Sequence, residues 1–314
     1  MAPEIGGPTV AIVAGIILAT IFPHLIKGRV DLESGTKYTS KKLLQCSIIL
    51  LGFSVNFYSV VRIGGQSLAV MVFTLAAAFL TVFIVGRAMK LPGNTTALIG
   101  VGTSICGGSA IAAAAPVIKA KDDEVAHAIS TIFLFNIIAV FIFPSLGHLM
   151  GLSDTGFGMW AGTAINDTSS VVAAGASWSA AAGNDAALNF ATVVKLTRTL
   201  MIVPVTLLLA VIVARNSKHS GAGDFDLRKV FPWFVLLFIL AALVNSFSGL
   251  PEQVSDDLAE LGKFMIVMAI AAIGLSTNLK ALISNGYKPI FLGLCCWVAV
   301  AAVSLIVQAL LSIT

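Results

Sequence analysis

Three ionisable side chains lie deep inside apolar stretches of this chain: Asp167, Lys195 and Arg198. A charge at the centre of a bilayer costs about 2.5–3.5 kcal/mol on insertion scales, so each should face a cavity or a partner. Lys195 and Arg198 are three residues apart and share one helix face. A guanidinium fork suits carboxylate, sulfate or sulfonate oxygens. If Asp167 pairs with one cation, the other is left for an anionic substrate. The plainer alternative is a buried structural ion pair, or snorkelling at the outer interface, since Lys195 is not far into its segment.

Two glycine-rich polar stretches accompany these charges. One is Gly102-Thr-Ser104-Ile-Cys106-Gly107-Gly108-Ser109; the other is Gly162-Thr-Ala-Ile-Asn166-Asp167-Thr168-Ser169. They align without a gap at an offset of 60 residues, and the match continues through Ala113/Ala173 to Pro144/Pro204. Backbone that leaves the helix at membrane depth must be satisfied by protein or by a water cavity. Gly107 and Gly108 allow close approach of a ligand to the backbone. Ser109 and Ser169 can cap half-helices or donate to a ligand. Half-helices starting at Ser109 and near Thr168 would aim two positive ends at mid-membrane, an anion site built without charged side chains. The candidate substrate contacts are therefore Ser104, Cys106, Gly107, Gly108, Ser109, Asn166, Thr168, Ser169, Lys195 and Arg198. Asp167 is the candidate coupling residue, for H+ or Na+; as a fixed counter-ion it would stay ionised. Close packing through small residues is the alternative for the alanine-rich flanks.

The elements that must position these residues are membrane helices. Of 314 residues, 58% are hydrophobic and 11% charged, against about 25% charged in soluble domains. Apolar segments fall near 8–26, 43–60, 67–88, 96–118, 125–147, 157–180, 187–213, 230–247, 262–280 and 289–313. The first lacks a basic n-region and a small-residue cleavage site, so it reads as a span. The net charge of +4 sits in loops, where topology accounts for it without nucleic acid. Cys46, Cys106, Cys295 and Cys296 lie in apolar segments and suggest neither a disulfide framework nor a metal site. No cofactor is expected.

A second repeat pairs Gly52-Phe-Ser54-Val-Asn56 with Gly274-Leu-Ser276-Thr-Asn278 at an offset of 222, extending over 8–88 and 230–313. Taken as ordinary spans, the glycine-rich segments would put Lys119 and Lys121 outside, against the positive-inside rule. Taken as re-entrant hairpins, they return loop 119–124 to the cytoplasm, with loops 27–42 and 214–229, and leave 148–156, 181–186 and the acidic loop 248–261 outside. Every repeat pair is then inverted: 8–88 with 230–313, and 96–147 with 156–207. The expected fold is an all-α polytopic membrane protein, one transporter domain over 1–314, with inverted repeats and two broken or re-entrant glycine-rich helical hairpins. Ten spans with two kinked helices are the alternative. Ser54, Asn56, Ser276 and Asn278 are read as helix caps, with lining of entrances as the alternative, and Asn136, in mid-span, as a lining residue or an interhelical hydrogen-bonder.

At these motifs the chain resembles the YeiH-type family of bacterial inner-membrane proteins named as sulfate exporters. The likeness covers nearly the whole length and is strongest at Gly102–Ala115, Gly162–Gly175, Lys195–Pro204 and Ala272–Pro289. The family is similar to transporters of the sodium/proton antiporter and bile-acid type, with inverted repeats. Many relatives carry His-Glu where this chain has Asn166-Asp167, so proton coupling through that His has no counterpart here. Relatives also often have a further N-terminal hydrophobic segment.

The expected function is secondary transport of a small anion (sulfate, a sulfonate or a related organic anion) across the inner membrane, coupled to H+ or Na+. An anion channel is the alternative, and a homodimer remains open. An intramembrane enzyme using Ser104 or Ser109 with Lys195 lacks a base pairing or a nucleophile elbow, so no enzyme is expected.

Overall fold

The structure is a computed structural model and describes residues 7–21, 32–216, 232–276 and 286–313. Regular elements among them are helical. We number them α1 (Gly7–Ile21), α2 (Leu32–Tyr38 and Leu44–Leu51, joined by a π turn over Thr39–Leu43), α3 (Phe57–Ala88), α4 (Gly93–Ser104), α5 (Gly108–Val117), α6 (Asp122–Leu149), α7 (Asp154–Ala164), α8 (Thr168–Ala182), α9 (Ala186–Thr199), α10 (Ile202–Asn216), α11 (Trp233–Phe247), α12 (Glu252–Ser276) and α13 (Tyr287–Leu310). Five helical segments among the described residues are long and apolar enough to cross a membrane: 57–88, 122–149, 186–209, 252–276 and 287–310. The protein is a multi-pass membrane protein.

Two expected boundaries move. Segments 43–60 and 67–88 do not meet in a loop at 61–66. The break comes earlier, after a 3₁₀ turn at Gly52–Ser54, and α3 then runs for 32 residues. Asn56 caps α3, its side chain accepting from the Tyr58 N–H at 2.9 Å. Gly64, inside the expected loop, instead packs against Thr197. The acidic stretch 248–261 is likewise helical from Glu252, where an acid in the first turn suits the helix dipole. Lys27, Arg29, the loop 217–231 and Asn278 lie outside the described residues.

Each glycine-rich segment is broken at its centre and folds back on itself. At the base of the first, Asn94 on α4 donates to Glu124 on α6 at 3.0 Å, one turn beyond the end of α5. At the base of the second, Asn184, just after α8, donates to Asp154 on α7 at 3.0 Å. Both arms of each hairpin therefore start and finish together. The two bases sit at opposite ends of α6. Glu124 marks one end; at the other, His148 stacks on Trp178 of α8 with ring centroids 3.9 Å apart. The intervening 24 residues of helix span about 36 Å. Both tips lie beside the middle of α6: a Cβ on Gly107 would sit 3.4 Å from Ile132, and the Asp167 N–H donates to the Asn136 carboxamide oxygen at 3.2 Å.

With lipid as apolar as leucine, helices in a membrane associate through close packing rather than through the hydrophobic effect. The glycines show where. A Cβ on Gly162 of α7 would meet Val194 of α9 at 2.6 Å, and one on Gly274 of α12 would meet the Ile12 carbonyl of α1 at 2.4 Å. In the 3₁₀ turn after α2, a Cβ at Gly52 would meet the Phe238 carbonyl of α11 at 2.6 Å. The Gly162 contact clamps α9 against the second hairpin, which fixes where Lys195 and Arg198 point. The α9–α10 turn falls at Leu200–Met201, because Pro204 cannot donate to the Leu200 carbonyl.

Candidate functional site

The first tip is shaped by Gly107. Its φ of +68° and ψ of −129° belong to glycine, and it stands where α5 begins, with no side chain to cap the helix. Its N–H closes onto the Gly102 carbonyl at 2.9 Å. The second tip runs extended through Ile165, and Asp167 caps α8. The Asp167 carboxylate accepts from the Ser169 N–H at 3.0 Å and from the Ser169 hydroxyl. The caps are thus Gly107 and Asp167, not Ser109 and Ser169 as expected. The reason is positional: each serine falls inside its helix, one residue past the first helical position, where its own N–H is one of those to be capped. The tips touch, since a Cβ on Gly107 would lie 3.4 Å from the Asp167 Cβ.

Lys195 and Arg198 are fully buried on α9 and reach into both tips. The Lys195 ammonium donates to the carbonyls of Ile105 at 2.8 Å, Ile165 at 3.1 Å and Asn166. The Arg198 guanidinium donates from Nε to the Ser104 carbonyl at 2.8 Å, from one terminal nitrogen to Thr163 and from the other to Thr103. These carbonyls are ones that α4 and α7 leave unpaired at their C-terminal ends, where the helix dipole is negative. Two cations face two helix C-termini, and six carbonyls accept from six of their eight N–H groups.

This corrects the expected pairing. Asp167 forms no ion pair with Lys195 or Arg198, because its carboxylate is taken by the start of α8 and both cations are taken by carbonyls. Neither cation presents a free fork or ammonium to a ligand. The Ser104 hydroxyl turns back to the Val101 carbonyl at 3.2 Å, and Cys106 is buried. Of the expected substrate contacts, Ser104, Cys106, Gly107, Asn166, Ser169, Lys195 and Arg198 lie in the closed part of the site. Ser109 is exposed, and Gly108, Asp167 and Thr168 are partly so. The open face therefore consists of the first turns of α5 and α8 with the Asp167 carboxylate between them.

Three buried polar atoms here have no protein partner: the Asn136 amide nitrogen, the Asn166 amide oxygen and the Thr103 hydroxyl. Asn136 is 1% exposed and holds the tip with its oxygen while its nitrogen remains unused. A buried donor without a partner costs about 1–3 kcal/mol. A cleft of about 410 Å³ lies away from the tips, at the base of the second hairpin between α8, α9 and α12. There Lys263 pairs with Asp185 at 2.5 Å. Among the described residues no cluster of metal-ligating side chains occurs.

The base bonds escaped the sequence reading, although the signal was present. Asn94 and Glu124 become Asp154 and Asn184 at the same offset of 60, with amide and carboxylate exchanged. Identity matching passes over such a swap.

No solved structure matches this chain. A UPF0324 membrane protein of Fusobacterium nucleatum is 45% identical, covering 99% of this chain and 92% of its own length. One from Streptococcus pyogenes serotype M18 is 49% identical over 99% of this chain and 91% of its own. One from Streptococcus mutans serotype c is 46% identical over 99% and 92%. Residues 1–293 match the family described as conserved hypothetical protein 698, and the chain belongs to that family, whose relatives here are named UPF0324 membrane proteins.

Proposed function

We propose that the protein is a secondary transporter for a small anion, with its site at the meeting of the two hairpin tips. The observation that carries this reading is the juxtaposition at mid-helix of two α-helix N-termini with the buried, unpartnered amide nitrogen of Asn136. Helix N-termini attract anions through their free N–H groups and dipoles, and an unused buried donor wants an acceptor. Discontinuous helices near the bilayer midplane are how several transporters hold their substrates.

Inverted repeats are supported by matching contacts. Gly52 beside the Phe238 carbonyl and Gly274 beside the Ile16 backbone nitrogen pair corresponding residues 222 apart. The two base bonds are the same contact 60 residues apart. A fold like those of antiporters and bile-acid transporters is what the family resemblance implies. Gly108, Ser109 and Thr168 line the anion; Lys195 and Arg198 hold the tips and supply positive potential. Asp167 is the coupling residue for H+ or Na+. No catalytic chemistry is assigned.

The test is counterflow in proteoliposomes loaded with unlabelled anion and presented with trace labelled anion. A transporter gives a transient overshoot of label. Equilibration without overshoot makes the protein a channel, and no uptake for any anion of the panel overturns the anion reading. Asp167→Asn should abolish Na+- or pH-driven accumulation while exchange persists; accumulation that survives returns Asp167 to a capping role alone.

A further inference from the structure

The charges around the tips can be counted, and the count constrains the ligand. This step rests on the anion reading of the site. Lys195 donates to three carbonyls, and three N–H donors are what an ammonium has; a neutral amine has two and a lone pair that would face an oxygen. Arg198 is a permanent cation. Asp167 accepts twice at the start of α8, as a carboxylate does. The half-helix ends cancel: α4 and α7 bring two negative C-termini, and α5 and α8 two positive N-termini, each worth about half a charge. The other titratable group facing Asp167 is the buried Cys106 thiol of the first tip, uncharged as a thiol; Asn136 of α6 is neutral.

We infer that the tip site has a net charge of +1 and so takes an anion bearing a single negative charge, a dianion entering only with a cation that neutralises Asp167. The seat is the first turn of α5, with Gly108 and Ser109, which meets the second tip where the Asn136 amide nitrogen lies buried without a partner. The start of α8 is unlike it, because Asp167 already supplies that helix with its anion. Asp167 thus acts as a resident anion beside the seat and repels a second negative charge on the ligand. Even on the open face, a neighbouring carboxylate disfavours a second negative charge on the ligand by Coulomb repulsion.

The experiment is calorimetric titration of the purified full chain in detergent, at pH 8 in potassium buffer without sodium. The monoanions methanesulfonate, acetate and nitrate are compared with the dianions sulfate, oxalate and malonate. At least one monoanion should bind about tenfold or more tightly than any dianion. Asp167→Asn, which keeps a good cap, should then bind a dianion at least as well as that monoanion, with an unchanged melting temperature. Equal binding of the two classes by the unmodified protein, or preference for a dianion, overturns the charge count while the anion site stands. Binding of none of the six overturns both. If the variant does not fold, the preference of the unmodified protein decides alone.

Discussion

Arg198→Ala is the substitution that most directly tests how the tips are held. The guanidinium makes three charge-assisted hydrogen bonds, to Ser104, Thr163 and Thr103, from a fully buried position. Each such bond contributes about 1.5–3 kcal/mol, so the gross loss is roughly 6 kcal/mol. Against it stands the desolvation of the guanidinium, several kcal/mol, which the alanine variant no longer bears. The variant also leaves three helix-end carbonyls unpaired and a void the size of the lost side chain. Removing one partner from a buried charged contact costs about 3–5 kcal/mol net, and we expect that range. At about 2–4 °C per kcal/mol for a large domain, the melting temperature falls by roughly 10 °C. Arg198→Lys keeps the charge but replaces a fork with a point donor and should fall by about half as much. Thermal unfolding in detergent, followed by tryptophan fluorescence, measures both. A drop of less than about 2 °C for Arg198→Ala would refute the view that this side chain clasps the two tips.

Gly274→Ala would place a Cβ 2.4 Å from the Ile12 carbonyl; it should destabilise by about 1–3 kcal/mol as the α1–α12 seam opens, whereas Gly35→Ala, with nothing within 4 Å, should leave the melting curve unchanged or slightly raised. Asn94→Ala deletes the base bond to Glu124; losing a hydrogen bond worth about 0.5–1.5 kcal/mol should lower the melting temperature by a few degrees, and an unchanged melting curve would deny the base bond its role. Cysteine at Lys121 and at Asn184, in a background without Cys46 and Cys295, should be labelled by an impermeant reagent from opposite sides of the membrane; labelling of both from one side would contradict the opposed hairpins.

The breaks were legible in the sequence because glycine and small polar residues at membrane depth have few other uses. Gly102–Ser109 and Gly162–Ser169 mark the tips to within a residue or two. The cations were legible as anomalies, but their partners were not. A sequence names side chains, and the partners of Lys195 and Arg198 are backbone oxygens, whose availability depends on where a helix stops. An ion pair with Asp167 was the natural expectation from side chains alone. Residues 61–66 resembled a loop because Arg62, Gly64, Gly65 and Gln66 are polar or small; the helix continues because Gly64 admits Thr197 at 3.3 Å. The acidic stretch before residue 262 resembled a loop by charge, although charge decides only whether lipid covers a helix.

The carbonyl cradle has a consequence for mutational tolerance. The acceptors belong to residues 103, 104, 105, 163, 165 and 166, yet no exchange of side chain at those positions can delete them, since every amino acid carries the same oxygen. Variation there that fits the buried space leaves the clasp itself intact. Insertion or deletion of one residue behaves differently: it rotates the end of a half-helix by about 100° and swings its carbonyls off their donors. A scan of the tips should therefore show single-residue length changes rejected throughout, and point substitutions rejected where they need room or a backbone conformation that only glycine gives, as at Gly162 and Gly107, or remove a donor, as at Lys195 and Arg198.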